Sequence, residues 1–191
     1  MVMMNQGALL SWYRRVERPL PWRLNPSPWS ILLSEILLQQ TQMERGIRYH
    51  TALLERFPTV QSMAESSVDE VLHLWQGAGY YSRARRLHAL AVEVVQSHGG
   101  VLPEDYDSLL KLPGIGPYTA AAVASIAFME PVACVDGNIR RVMARQTNQE
   151  EPSPTQVQSF ANEQLHENAP GDWNQAMMEF GALLCRPRNP S

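Results

Sequence analysis

Glu35 is the only charged residue between Arg23 and Glu44, and it sits amid Ile31, Leu32, Leu33, Ile36, Leu37 and Leu38. On a helix those apolar residues cover the whole circumference, so the element is expected to be buried on most sides. At about 100° per residue Glu35 shares a stripe with Ile31, Leu32, Leu38 and Gln39. A carboxyl group there is desolvated, which favours the protonated acid near neutral pH. That is the form a general acid needs. The competing role is a glutamate that escapes to solvent through a gap in the packing.

A second segment, Leu112-Pro113-Gly114-Ile115-Gly116-Pro117-Tyr118-Thr119, reads as a tight hairpin between two helices. Ile115 can point into the core while the glycines turn their N–H groups outward at the start of the next helix. Those donors and the helix dipole suit a phosphate oxygen without any lysine. An ordinary helix–helix turn is the alternative. The third segment is Val135-Asp136-Gly137-Asn138-Ile139-Arg140-Arg141, with Asp136 at a helix N-terminus. N-capping alone would account for Asp136. A functional role needs an ionised carboxylate, which the positive end of the helix dipole favours. One carboxyl kept protonated and another kept ionised is the acid-and-stabiliser pairing of glycoside chemistry.

Caps and breaks outline the helices that must position these groups. Ser27 caps one, with Pro28 in its first position, running to about position 43. Ser67 and Glu70 form a capping box for a helix stopped by Gly77 and Gly79. Ser82 opens another, with Leu87, Leu90, Ala91, Val94 and Val95 at helical spacing and Gly99-Gly100 at its end. A short turn covers 104–110, and Pro117 opens an alanine-rich helix to Phe128. Asp136 caps a helix to about position 146, and Ser153-Pro154 opens the next. Asp172 with Gln175 makes a last capping box. No segment alternates with period two for long enough to be a strand, so the expectation is all-α. Residues 147–154 read as a linker between lobes.

Composition narrows the class. Across 191 residues, 45% are hydrophobic and 18% charged, which excludes a disordered chain. Nothing approaches the ~18 apolar residues of a membrane span. The start, Met1-Val2-Met3-Met4-Asn5-Gln6, lacks the basic and apolar regions of a signal peptide. Cys134 and Cys185 are too few for a disulfide framework. A soluble intracellular chain is expected. The net charge of −3 looks wrong for a nucleic-acid binder, yet all but one of the 16 basic residues are arginine, Lys111 being the exception. They cluster at Arg83, Arg85 and Arg86, at Arg140, Arg141 and Arg145, and at Arg186 and Arg188. Arginine suits bidentate phosphate contacts. Solvated helix faces are the plainer account.

Further stretches join these segments: Leu20-Pro21-Trp22-Arg23, then Ser34-Glu35 through Gln39-Gln40-Thr41-Gln42, then Leu74-Trp75-Gln76-Gly77-Ala78-Gly79-Tyr80-Tyr81-Ser82-Arg83, and Asn174-Gln175 through Cys185. Together they resemble the catalytic domain of the MutY-type A/G-specific adenine DNA glycosylases, in the helix-hairpin-helix and Gly/Pro…Asp superfamily. The resemblance implies a two-lobed all-α fold. Residues 24–131 would form a six-helix barrel carrying the hairpin at 112–119, and residues 1–23 with 132–191 a second helical lobe. It implies a monofunctional, monomeric enzyme in the cytoplasm, nucleoid-associated in a bacterium, acting on double-stranded DNA. The enzyme would flip out and excise adenine mispaired with 8-oxoguanine or guanine. Glu35 would protonate the departing adenine, and Asp136 would stabilise the oxocarbenium-like sugar or its covalent adduct. Tyr118 and Asn138 would support that chemistry. Arg23 and Gln175 would contact adenine, although capping accounts equally well for Gln175. Gln40 and Tyr80 would enter the helix around the vacated base, although Tyr80 and Tyr81 suit a core as well. Gly114 and Gly116 would hold the DNA backbone, with a monovalent cation at the hairpin.

Two departures stand out. Family members continue from Cys185 with three more cysteines that complete a 4Fe-4S cluster, so Cys185 is a single ligand where four are needed. The resemblance also implies a following domain that reads 8-oxoguanine, which lies outside these 191 residues. Alternatives are an endonuclease III-like or thymine-mismatch glycosylase, or an inactive helix-hairpin-helix DNA-binding fragment. Lyase-type relatives place a lysine where Tyr118 stands. The thymine-mismatch branch lacks the acid at Glu35.

Overall fold

The computed structural model of the chain describes residues 3–39 and 41–190. Among them are twelve helices and no strand, as the patterning predicts. In order they are α1 (Gln6–Val16), α2 (Pro21–Leu24), α3 (Pro28–Leu38), α4 (Met43–Arg56), α5 (Val60–Ala64) and α6 (Val68–Leu74). There follow α7 (Tyr81–His98), α8 (Tyr106–Leu109), α9 (Pro117–Phe128), α10 (Gly137–Gln146), α11 (Pro154–Gln164) and α12 (Pro170–Leu183). No helix among the described residues is long and apolar enough to cross a membrane.

Contacts divide the chain into Pro19–Val123 and a second unit of Met1–Arg18 with Ala124–Ser191. The sequence-based bounds stand at 24 and 131. The shift at the first bound follows from Trp22, which is buried and meets the His50 ring edge-on at 5.0 Å. At the second bound, the end of α9 is tied to α12, where Asn174 donates to Ser125 Oγ at 2.9 Å. The division therefore falls inside α9. Residues 147–154 do not join the two units, because α10 and α11 both belong to the second.

In Pro19–Val123, Ser27 caps α3 by accepting from the Ser30 amide, with Pro28 in the first turn. Residues 29–34, Ile36 and Leu37 are buried, so burial on most sides holds. The helix ends at Leu38 rather than near 43, because Gln39 turns extended. A separate helix, α4, begins at Met43, with no side-chain cap to announce it. Its inward residues Gly46, His50 and Leu53 keep helical spacing. Gly46 faces the end of α3: a Cβ there would lie 2.7 Å from a Leu38 methyl, which would have to turn aside.

His50 adds a pH dependence to this unit. Its Nε2 lies 3.0 Å from the Ser30 carbonyl oxygen and 3.1 Å from Ser30 Oγ. A carbonyl only accepts, so Nε2 carries the hydrogen and Nδ1 is buried without a partner. Burial holds the imidazole below its ordinary value, against the opposing pull of the Ser30 carbonyl. The folded state thus favours the neutral ring, while an unfolded histidine protonates near pH ~6.5. Its contribution is complete above about pH 6.5 and is lost as pH falls toward and through the folded value. Thermal melts between about pH 8 and about pH 5 should show stability dropping in that window, and His50→Phe should flatten the drop. An unchanged slope in the variant would refute this origin.

In the second unit, Leu9, Leu10 and Tyr13 of α1 share a core with Ile139, Val142, Met143, Val157, Phe160, Trp173 and Met177. Arg18 forms a two-pronged bridge to Glu179 at 2.6 and 2.8 Å; the Glu179 carboxylate is buried, while the Arg18 side chain stays partly exposed. Helix α12 starts at Pro170, two residues before the expected cap. Asp172 therefore lies within the first turn, where it accepts from Arg14, and the Asp172–Gln175 capping box does not form.

Candidate functional site

The hairpin forms as its sequence demands. The Ile115 amide donates to the Leu112 carbonyl at 3.2 Å, and both side chains are buried. Gly114 has a left-handed φ of 81°, and a Cβ on it would lie 2.9 Å from Arg86 Cβ. Gly116 is different: an added Cβ there would meet nothing within 4 Å. The Ala120 amide donates to the Gly116 carbonyl, which starts α9. First-turn N–H groups of a helix have no intrahelical acceptor, so this end presents donors.

Glu35 is half-buried while residues 29–34, 36 and 37 around it are buried. The helix face opens where Glu35 stands, so its desolvation is partial rather than complete. Arg83 fixes the end of this helix. Its Nη1 donates to the carbonyls of Ile36 at 3.0 Å, Leu37 at 3.2 Å and Gln39, and Nη2 reaches Thr41 Oγ1. The guanidinium lies over the Trp75 and Tyr80 rings at 5.5 and 5.3 Å, and burial pulls it below its ordinary value. Arg83 is thus committed to the fold and leaves the phosphate-contacting cluster. Gln39, one turn after Glu35, donates through Nε2 to Thr119 Oγ1 at 3.0 Å. That bond ties the end of α3 to the helix start that carries Tyr118, itself half-buried.

Tyr80 takes a left-handed φ of 50° and is 62% exposed; Tyr81 is 46% exposed. Neither is a core aromatic; Trp75 fills that role at 0% exposure. Arg23 lies in the last turn of α2 and is half-buried. Gln40 lies outside the described residues.

In the second unit Asp136 caps α10: Oδ1 accepts from the Ile139 amide at 2.8 Å, and Oδ2 accepts from Asn138 Nδ2 at 2.7 Å. Capping and a fixed carboxylate direction are thus one arrangement. Asn138 Oδ1 in turn accepts from Arg141 Nη2 at 2.7 Å. Arg141 also donates to the carbonyls of Gly181 and Cys185, both at 2.6 Å. Gly181 gives α10 its close approach, since a Cβ there would lie 2.5 Å from Asn138 Cβ. Gln175 is half-buried, and its side-chain amide donates to the Gly171 carbonyl, one turn earlier, at 3.4 Å. Arg145 donates to Cys185 Sγ at 3.2 Å and to the Arg186 carbonyl at 2.8 Å, fastening the segment after α12.

An iron–sulfur cluster does not fit this donor set. Cys185 is buried with Arg145 on its sulfur, and Cys134 is buried beside Ser125. Among the described residues no three His, Cys, Asp or Glu side chains are grouped to hold a metal. Gln39, Thr119 and Asn174 stand in these segments, but their residue types alone assign them no role in the site. Asn174 did leave a signal: it is a polar residue in the apolar stripe of α12.

A family model described as "HhH-GPD superfamily base excision DNA repair protein" matches residues 33–167, a stretch that includes Glu35, the hairpin and Asp136. The chain belongs to the HhH-GPD superfamily. It is similar to the human adenine DNA glycosylase, 43% identical over 97% of this chain and 36% of the relative. The adenine DNA glycosylase of Mycolicibacterium smegmatis is 41% identical over 95% of this chain and 64% of its own length. The chain therefore spans less than two thirds of these relatives. Among solved structures, a thermostable thymine-DNA glycosylase superposes with a TM-score of 0.88 at 28% identity, covering 96% of this chain and 87% of that one. An endonuclease III in complex with DNA matches with a TM-score of 0.83 at 23% identity, over 97% of this chain and 86% of that one, a likeness of fold.

Proposed function

We propose that this chain is the catalytic part of a DNA glycosylase that excises adenine mispaired with 8-oxoguanine or guanine. The observation that carries the reading is the HhH-GPD match over residues 33–167, which takes in the half-buried Glu35, the hairpin and Asp136. Similarity to adenine DNA glycosylases supports the choice of base. Amide donors at Gly116 and the start of α9 hold the DNA backbone. Flipping the adenine out costs a few kcal/mol of unstacking. The Glu35 carboxylic acid then gives its proton to the base as the glycosidic bond breaks, and the bonding pair leaves with adenine. Asp136, its direction set by Ile139 and Asn138, stabilises the cationic sugar or closes onto it before water completes the reaction. Arg23 and Gln175 contact the base, and Tyr118 positions the reacting end. Tyr80, exposed on a left-handed residue, enters the base stack.

The test is to incubate the purified chain with duplexes carrying A opposite 8-oxoguanine, A opposite G, or T opposite G. Adenine release with an intact abasic strand is the expected result, since Tyr118 supplies no amine for a Schiff base. Thymine release alone, or a borohydride-trapped protein–DNA adduct in stoichiometric yield, overturns the reading.

The hairpin yields a second measurement. A hydrogen bond to a charged group is worth about 1.5–3 kcal/mol, so a methyl at Gly116 that keeps a phosphate off the amide donors should weaken DNA binding about tenfold or more. Gly116→Ala has room for its methyl within the protein and should leave the melting temperature nearly unchanged. Gly114→Ala should weaken binding too, but with a stability loss from its left-handed φ and Arg86. Arg85→Gln should weaken binding less than either. The opposite ranking in titrations at matched salt would favour an arginine patch as the main anchor.

A further inference from the structure

Helix α12 meets the segment carrying Asp136 on both sides: through Gly181 and Arg141 after it, and through Asn174 before it. Asn174 is 2% exposed and uses both ends of its carboxamide. Nδ2 donates to the Val132 carbonyl and to Ser125 Oγ, each at 2.9 Å, and Oδ1 accepts from the Cys134 amide at 3.1 Å. Gly171, three residues earlier, permits the approach, since a Cβ there would lie 2.6 Å from the Ser125 carbonyl oxygen.

The segment it holds has little structure of its own. Between α9 and α10 the backbone makes a left-handed turn at Met129 (φ 61°) and a tight bond from the Val132 amide to the Glu130 carbonyl. Asp136 follows Cys134 by two residues. Asn174 neighbours Trp173, Ala176 and Met177, all core residues of α12. If only packing mattered, an apolar side chain would suit that stripe. A buried carboxamide matched to one carbonyl and one amide of the same loop instead specifies a single loop path.

We infer that Asn174 is a positioning residue for Asp136, fixing the backbone of residues 132–134 and so the place from which the Asp136 carboxylate acts. The inference rests on Asp136 being the group that stabilises the sugar cation. A displacement of about 1 Å in a reacting group costs about 10²-fold in rate, which sets the expected effect.

The experiment uses the full chain with Asn174→Asp, which keeps the acceptor for Cys134 but loses both donors, and Asn174→Ser as a second variant. Single-turnover adenine excision should fall about 10²-fold, while affinity for the mismatch duplex stays within about threefold. In an Asp136→Asn background, Asn174→Asp should slow the residual excision little further, because both changes act on one group. Ser125→Ala, which leaves the two loop bonds of Asn174 intact, should cost far less excision than Asn174→Asp. Amide exchange at Ile139, whose N–H is held by Asp136, should accelerate in Asn174→Asp and gives a readout independent of catalysis. Excision at wild-type rates, losses that add fully to those of Asp136→Asn, or unchanged Ile139 exchange overturn the inference. A wild-type chain that excises no adenine overturns the proposed function instead, and Ile139 exchange then still decides whether Asn174 positions Asp136.

Discussion

Glu35→Gln is expected to slow single-turnover excision of adenine by about 10²–10⁴-fold while leaving folding and duplex binding close to wild type. Glutamine matches glutamate in shape and fits the gap among buried neighbours of α3, but it has no proton to give. The gap also limits side effects, since a half-buried amide at this position keeps access to solvent. Thermal melts and binding isotherms should therefore overlay those of the wild type. Near-normal excision by the variant would remove Glu35 from the reaction, whatever the fate of the proposed substrate.

Arg83→Ala should produce the largest loss of stability of any single arginine substitution in Pro19–Val123. Its guanidinium serves the Ile36, Leu37 and Gln39 carbonyls at the end of α3, where helix geometry leaves acceptors unfilled. Stranding these groups costs about 3 kcal/mol or more, roughly 6–12 °C in melting temperature for a chain of this size. Arg83→Lys should recover little, because an ammonium cannot spread planar donors over several carbonyls while lying against Trp75 and Tyr80. Were Arg83 a phosphate contact, Arg83→Ala would instead leave the melt unchanged and lower the salt dependence of DNA binding.

Arg83 also marks a limit of reading function from residue types. In sequence it is one of three arginines within four positions and looks like surface charge. Its true partners lie some 45 residues away, on a helix end that no local pattern predicts. The early end of α3 was hidden for the same reason, because a distant guanidinium, not a glycine, completes it. Helix α4 escaped notice because Gln42 caps nothing, although the spacing of Gly46, His50 and Leu53 carried the signal. By contrast the hairpin was legible almost atom by atom, since Gly114 and the buried Ile115 are dictated by short-range geometry. Asp136 was legible as a cap for that reason too. Its second hydrogen bond, to Asn138, and the hold of Asn174 on the preceding loop arise from helix packing and leave only a faint trace in composition.

The bridge from Arg18 to Glu179 joins residues 161 positions apart, and this has a bearing on synthesis at the ribosome. Pro19–Val123 has all its helices once α9 emerges, whereas α1 must wait for α12. At 5–20 residues per second that delay is roughly 10–30 s. Until α12 emerges, Leu9, Leu10 and Tyr13 present an apolar face whose core, drawn from α10, α11 and α12, is incomplete. The nascent chain should thus be most open to chaperone capture through its first helix, and slower translation across α10 and α11 should lengthen that exposure.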